Sequence, residues 1–560
     1  MKQEVMLNQV PTVSIRRSKF LQWGNHRSTM DTGLLTPVFS YPLIYPGDSI
    51  KLRFNIVLNQ TTPMFPTMDN SWLSLRCFFV RNALLWNHWG EFNGENKTGA
   101  WKQTTEYTTP QIVFNKTSTA AKCNAGSLWN HMGMPITTNL PDTTDGIEIE
   151  NLLGRGYCMI WNDFYRDQNV CPPMQFSLGD TTVNQGADTD SWFDFIDGQK
   201  WNNNEFPANL APVFKYRDYY NGCLPEPQKS DPIEMPLGEF APIIFENGAT
   251  ATYAQDSQPG LYNVTSKNRI GGVVNLAAVN GLLQNTTEPF SPGSEPVTFS
   301  AYANLQNAVS ATVNAVRMAG AMERLMEKRA RGGTRLPEIN LQQWGVRSPD
   351  FLMCRPIYLG GKKIPITMNR VLQTSSTDST SPQGHQSAYS VTIDSDFLFN
   401  YTFLDYGVLF VLADIRTEHS YSQGIPRMLT RKYYEDYYNP VFANLGEEAV
   451  KNKEIMLTNT STDEEIFGYQ ERWAEMRSLP NLNTGLMATN APLTLSNWHY
   501  GDLYSSLPVL SKEWRAETKA YVQRTLAVQN QPQYYFDSRV EIESSRPLPL
   551  WSIPGYFDHF

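Results

Sequence analysis

The sequence predicts a mainly β protein in which strands from the two ends of the chain close one sheet system around a long, loop-rich middle. Three observations predict it. Apolar and polar residues alternate with period two near the N-terminus, most cleanly in SIKLRFNIVL, the mark of a strand with one buried face. Further β-prone runs, YSVTID, VLFVLADI and RPLPLWSI, come only in the last third of the chain. Neither group alone supplies enough strands for a two-layer β fold, so the groups must pair across several hundred residues.

Taken in order, residues 1–30 form a mildly basic arm, with Lys2, Arg16, Arg17, Lys19 and Arg27 against Glu4 and with His26 nearby. A solvated lead-in and a nucleic-acid contact both fit it. From residue 31 to 560 a single β domain is expected. GLLTPVFSYPLI is an extended run interrupted by Pro37 and Pro42, and the turn YPGD separates it from the next strand. There Ile50, Leu52, Phe54, Ile56 and Leu58 alternate with Lys51, Arg53, Asn55 and Val57. In WLSLRCFFV one face holds Leu73, Leu75, Cys77 and Phe79. Residues 235–300, rich in Gly, Asn, Thr and Pro and poor in charge, read as an insertion: a loop this long is functional or a small subdomain. A helix follows over 301–331, with Leu305, Val309, Val313 and Val316 as its apolar stripe. It should stop at Gly332–Gly333, with Arg329 and Arg331 complementing the C-terminal dipole.

Composition narrows the class. Charged residues are 18% of the 560, against about 25% in an average domain, and aromatics are 12%. Interface cores share that bias, and so does one large core. The net charge of −9 restricts any nucleic-acid contact to a patch or an arm. Six cysteines with no CxxC pair read as free thiols from a reducing compartment. The N-terminus lacks the apolar stretch of a signal peptide, and no run is long enough for membrane insertion.

Catalytic and metal constellations are absent from the pattern. The seven histidines are dispersed, with no metal-ligand spacing and no cofactor motif. YLGGKK lacks the first glycine and the Ser or Thr of a phosphate loop and reads as a turn. Asp394 and Asp396 in IDSDF would stand roughly 6.6 Å apart on one strand face, within the inverting-glycosidase range. A β-rich carbohydrate-binding protein or glycoside hydrolase is therefore the rival reading.

The segments TPVFSYPLIYPGDSIKLRF, TPMFPTMDNSWLSLRCFFVRNALLWNHW, RARGGTRLPEI, RPIYLGGKKIPITMN, QGIPRMLTR, EEIFGYQERWAEMR and RPLPLWSIPG together resemble the major capsid protein of microviruses. These are small icosahedral single-stranded DNA bacteriophages, and the likeness is to their gokushovirus branch. ADIRTEHSYSQG is longer than that pattern, and residues 235–300 match it in no detail. The resemblance implies an eight-stranded antiparallel jelly roll, a viral capsid β-barrel with very long inter-strand loops. It implies no enzyme but a structural protein of the virion, made and assembled in the host cytoplasm as a T=1 icosahedral capsid of sixty copies. The expected partners are copies of itself, the circular single-stranded DNA genome, a small basic packaging protein, a pilot or minor virion protein and a bacterial surface receptor. For DNA the candidates are Arg16, Arg17, Lys19 and Arg27, with Lys328, Arg329, Arg331 and Arg335 as a second group. A GGTR turn pairing with a neighbouring loop or subunit explains that second group equally well. For host attachment the variable insertion, a protrusion at the threefold axes, offers Asn247, Tyr253, Tyr262, Asn263, Asn268 and Asn285.

Overall fold

The computed structural model describes the chain outside residues 1–15, 98, 100–104, 115–122, 124, 137–146, 181–182, 186–209, 232–242, 246–260, 265–273, 280–281, 286–300, 304–312, 378, 380–381 and 552–560. The chain divides into two units, one of residues 1–227 with 330–560 and one of residues 228–329. The framework of the first is made by β1 (Ser18–Met30), β2 (Thr36–Ile44), β3 (Ser49–Gln60), β4 (Ser71–Arg81), β5 (Ile357–Pro365), β6 (Met368–Leu372), β7 (Gln386–Thr402), β8 (Gly407–Thr417) and β9 (Tyr534–Arg546). They form a five-stranded sheet ordered β1-β9-β3-β7-β6 and a four-stranded sheet ordered β5-β4-β8-β2. Every pairing in both sheets is antiparallel. The C-terminal strand β9 lies between β1 and β3, with Tyr534 opposite Met30 on one side and Gln60 on the other.

The alternation in β3 places Ile50, Leu52, Phe54, Ile56 and Leu58 in the core. They meet Leu73, Leu75, Cys77 and Phe79 of β4 and Leu409, Val411, Ala413 and Ile415 of β8. The opposite face of β4 and β8, with Phe78, Val80, Val408, Phe410 and Leu412, builds a second core. It is covered by the connection after β4, including α1 (Leu152–Ile160). At Gly156 this helix comes so close that a Cβ would sit 2.9 Å from the Phe410 ring. The central strands β4 and β8 are thus buried on both faces, while β5 and β2 at the edges keep exposed positions. The five-stranded sheet keeps one face open, where Lys51, Arg53, Arg539 and Glu541 point.

Three expectations need correction. YLGGKK is no turn: it lies inside β5, which bulges between Tyr358 and Gly360. Gly360 has φ +152°, and a side chain there would meet the Leu398 carbonyl at 2.7 Å, so glycine alone fits the bulge. Among its described residues RPLPLWSI contributes only Arg546 to a strand, because Pro547 and Pro549 have no N–H to donate to a ladder. The helix expected over 301–331 begins in its described part at Val313: α2 spans Val313–Gly332, and Ala301–Ala303 instead pairs as a strand with Ile243–Phe245. Pairing with a partner strand outweighs the weak helix preference of so short a stretch. Val313 and Val316, from the expected stripe, are exposed.

The second unit holds that two-stranded pair and a three-stranded antiparallel sheet of Leu261–Val264, Val274–Val279 and Leu282–Asn285. Among the described residues no helix is long and apolar enough to cross a membrane. None of the six cysteines forms a disulfide, and only Cys354 among them is exposed.

A buried ionic network ties the two long connections, residues 82–356 and 418–533, to the end of β8. His419 Nδ1 lies 2.6 Å from Asp502 Oδ1, and its Nε2 lies 3.0 Å from Glu517 Oε2. Asp502 also accepts from Lys215 Nζ at 3.1 Å and from the Tyr504 hydroxyl at 2.6 Å, while Thr417 donates to Glu517 at 2.9 Å. Burial alone lowers the pKa of His419, but the Asp502 and Glu517 carboxylates outweigh it and raise the value to about 9. A folded-state pKa above the unfolded one stabilises the fold fully below about pH 6.5, and this contribution fades as pH climbs to 9. Deprotonation would leave Lys215 facing two buried carboxylates. The melting temperature should therefore fall between pH 6.5 and 9, and the His419→Asn protein should start lower and lose most of that slope. Parallel slopes in scanning calorimetry would show that His419 is neutral in the fold.

Candidate nucleic-acid interface

The described part of the basic arm is largely not an arm. From Ser18 it is β1, the edge of the five-stranded sheet, hydrogen-bonded along its length to β9. The alternation of K-F-L-Q-W-G-N-H-R was hard to read because much of both faces of an edge strand stays solvated: Leu21 and Trp23 are exposed. Pairing fixes the positions of the cations. Lys19 stands opposite Ser545, and Arg27 stands opposite Asp537 with its Nε 3.7 Å from the carboxylate. Arg17 lies against the Gly47 turn and interacts with Asp48. No ion pair between described residues involves Arg16 or Lys19.

Behind this edge the open sheet face mixes charge with rings. Lys51 and Arg53 of β3 and Arg539 of β9 face Asp537, Glu541 and Glu543, with the Lys51–Glu543 pair at 3.8 Å. Trp23, Phe397 and Tyr535 are exposed among them. Arg539 lies 5.8 Å from the Trp23 ring centroid, and Lys51 lies 5.8 Å from that of Phe397. Exposed pairs of this kind contribute about 0–1 kcal/mol each, so they exchange partners easily. The face is a modest cationic surface with aromatic platforms, the combination that holds a single strand through its phosphates and base faces.

The second cationic group divides differently. Arg331 donates from Nε to Glu447 and from Nη1 to Gln470, both at 2.6 Å, and its Nη2 also reaches Glu447. Arg335, at the start of α3 (Leu336–Trp344), binds Glu338 at 3.0 Å and the carbonyls of Asn162 and Arg166 at 2.7 and 3.0 Å. A planar guanidinium held bidentately on carboxylate and carbonyl oxygens is a structural clamp. Arg331 and Arg335 therefore staple the turn after α2 to neighbouring loops, and their donors face protein. Lys328 is exposed and Arg329 half-buried on α2. Of the insertion residues, Tyr262 and Asn263 lie on Leu261–Val264, opposite Leu276 and Asn275, and Asn285 stands at the end of the next ladder, also opposite Leu276. Asn247, Tyr253 and Asn268 fall outside the described residues.

The carboxylate pair has a plain role. Lys362 of β5 reaches Asp394 at 2.9 Å and Asp396 at 2.7 Å, bridging the two sheets. Hydrogen bonds from Lys362 and from the Phe397 amide hold Asp396 below the usual carboxylate range. A glycosidase acid needs the opposite shift. Sequence alone could not show this, since Lys362 lies 32 residues away. Among the described residues no group of His, Cys, Asp and Glu is arranged to hold a metal ion.

Comparison with known proteins agrees with this picture of a structural β protein. A model of the capsid protein (F protein) family matches residues 8–556. The capsid protein VP1 of Spiroplasma virus 4 is 33% identical over 537 residues, covering 94% of this chain and 92% of the relative. VP1 of Chlamydia phage 1 is 31% identical over 598 residues, at 98% and 97% coverage. VP1 of Bdellovibrio phage phiMH2K is 32% identical over 567 residues, at 99% and 98%. The chain belongs to the capsid protein (F protein) family and is a structural protein of a phage virion.

Proposed function

We propose that this chain assembles through its long connections into a closed T=1 shell of sixty copies around circular single-stranded DNA. Its framework is read as an eight-stranded jelly roll. The order of the strands carries that reading. Successive strands β1, β2, β3 and β4 alternate between the two sheets, and β5, β7, β8 and β9 return in mirror order, giving β1-β9-β3-β7 opposite β5-β4-β8-β2. This is the jelly-roll pattern, to which β6 adds only a short flanking strand. Function then sits in the connections 82–356 and 418–533, which a symmetric shell can use as contacts about its axes.

The open face of the five-stranded sheet, with its β1 edge, is read as the surface turned to the genome. At a net charge of −9 the chain cannot neutralise a genome, so a small basic packaging partner completes the charge balance. Arg16 and Lys19 are the residues to test, because the Arg17 guanidinium lies against the Gly47 turn. Removing two phosphate contacts lowers both affinity and its salt dependence. Arg16→Ala/Lys19→Ala shells should thus form in normal yield but expose their DNA to nuclease at a lower salt concentration than wild type. An unchanged salt midpoint would place the DNA elsewhere.

The insertion, residues 235–300, is read as the host-contact protrusion, with a bacterial receptor as its partner. Its base supports this. Phe245 pairs with Ala301, so the chain leaves and re-enters at adjacent points. Such a segment can be shortened with little loop-closure cost. Replacing 247–299 by a short glycine linker should leave particles that sediment as wild type and fail to adsorb to cells. Loss of assembly in that variant would make the insertion a contact between subunits.

A further inference from the structure

The segment Leu429–Leu445, in the connection after β8, exposes more aromatic surface than its setting explains. Tyr433 is 71% exposed, and Tyr434, Tyr437 and Tyr438 are more than half exposed. Leu429 and Val441 flank them at 76% and 80%. A floppy loop would bury such rings by collapsing, but this one is held open by its own bonds. The Asp436 carboxylate accepts from the amides of Lys432 and Tyr433 at 2.7 and 2.8 Å. Asn439 donates to the Tyr434 hydroxyl at 2.8 Å and accepts from the Val441 amide at 3.0 Å. Arg472 donates to the Glu435 carbonyl at 3.0 Å, and the Tyr438 ring packs edge-on against Trp473. Rigid tyrosines on a preset backbone give contact area at little entropic cost, the makings of a binding hot spot.

We propose that this segment is a contact between two copies of this chain, closed about a twofold axis. The inference rests on the reading of the protein as a self-assembling shell. Charge identifies the occupant. Lys432 and Glu435 stand three residues apart on the rim of the patch, both exposed, and no ion pair between described residues involves either. A twofold contact sets each surface patch against itself, so residue i meets j while j meets i. Lys432 of one copy then faces Glu435 of the other, twice. The same self-matching rim with an apolar centre explains why the patch stays exposed in a single chain: its cover is the patch itself.

Lys432→Glu, Glu435→Lys and the double variant K432E/E435K test this. Neither side chain takes part in the bonds that hold the loop, so all three should fold with wild-type circular dichroism. Each single reversal sets like charges together at both points of the axis and should cut particle yield by about tenfold or more. The double variant restores opposite charges and should recover most of that yield. In shells mixed from 14N- and 15N-labelled wild-type chains, a zero-length carbodiimide cross-link should join Lys432 of one label to Glu435 of the other. Wild-type yield for both single variants, or a cross-link confined to one label, overturns the contact while leaving the shell reading intact. If wild-type chains form no large particles, and the mixed labels never cross-link, both readings fall.

Discussion

The insertion of β9 between β1 and β3 is the constraint on which the rest of the architecture depends. Until Tyr534 finds Gln60 and Met30, the five-stranded sheet is split, with β1 and one edge of β3 unpaired. Closing a loop from residue 60 to 534 costs about 5 kcal/mol of chain entropy by the logarithmic law. The buried side chains of β9 are of the size needed to offset this cost. Phe536, Val540 and Ile542 each contribute about 1.5–3 kcal/mol when removed from water, and the two flanking ladders add to them. Because loop entropy grows only logarithmically, the chain can carry very long connections at small extra cost. That arithmetic permits a capsid protein to place most of its residues outside the β framework.

The two sheets divide the surface between them. The central strands of the four-stranded sheet are buried on both faces, so β8 opens with the apolar run GVLFVLA. The connection after β4 lies on it, anchored by Trp161 and Tyr157, whose polar tips donate to the carbonyls of Pro212 and Leu35. Among the described residues the five-stranded sheet keeps a broad regular face open. The open sheet face and the long connections are therefore separate parts of the molecule.

How much of this was legible follows from the range of each interaction. The faces of β3, β4 and β8 were readable because their alternation, or its absence, is local. β1 was misjudged as an arm, since an edge strand with Leu21 and Trp23 in solvent lacks a clean period. RPLPLWSI is apolar but broken by prolines, and the strand lies in YYFDSRVEIES just before it, where charges alternate with buried residues. The network of Lys215, His419, Asp502 and Glu517 left no trace, because its members are scattered over three hundred residues and meet only when the connections pack. Arg331 and Arg335 were legible as a clamp in kind, though Glu447 and the carbonyls of Asn162 and Arg166 could not be named in advance.

The low charge of the chain takes on a sharper meaning once the ion pairs are placed. Many of its few cations are turned inward: Lys215 on Asp502, Arg155 on the carbonyls of Leu85 and Gly179, Arg427 on Glu448 and Glu454, Arg331 on Glu447. Buried pairs of this kind rarely add net stability over apolar packing, but they fix which loop meets which, and a shell contact needs loops in one defined place. Exposed tyrosines such as Tyr433 and Tyr434 give up water readily and suit contact with another protein surface. Adhesion between copies then needs no special patch of strong charge. It needs only that the connections be stiff, and the inward-turned arginines and lysines supply that stiffness.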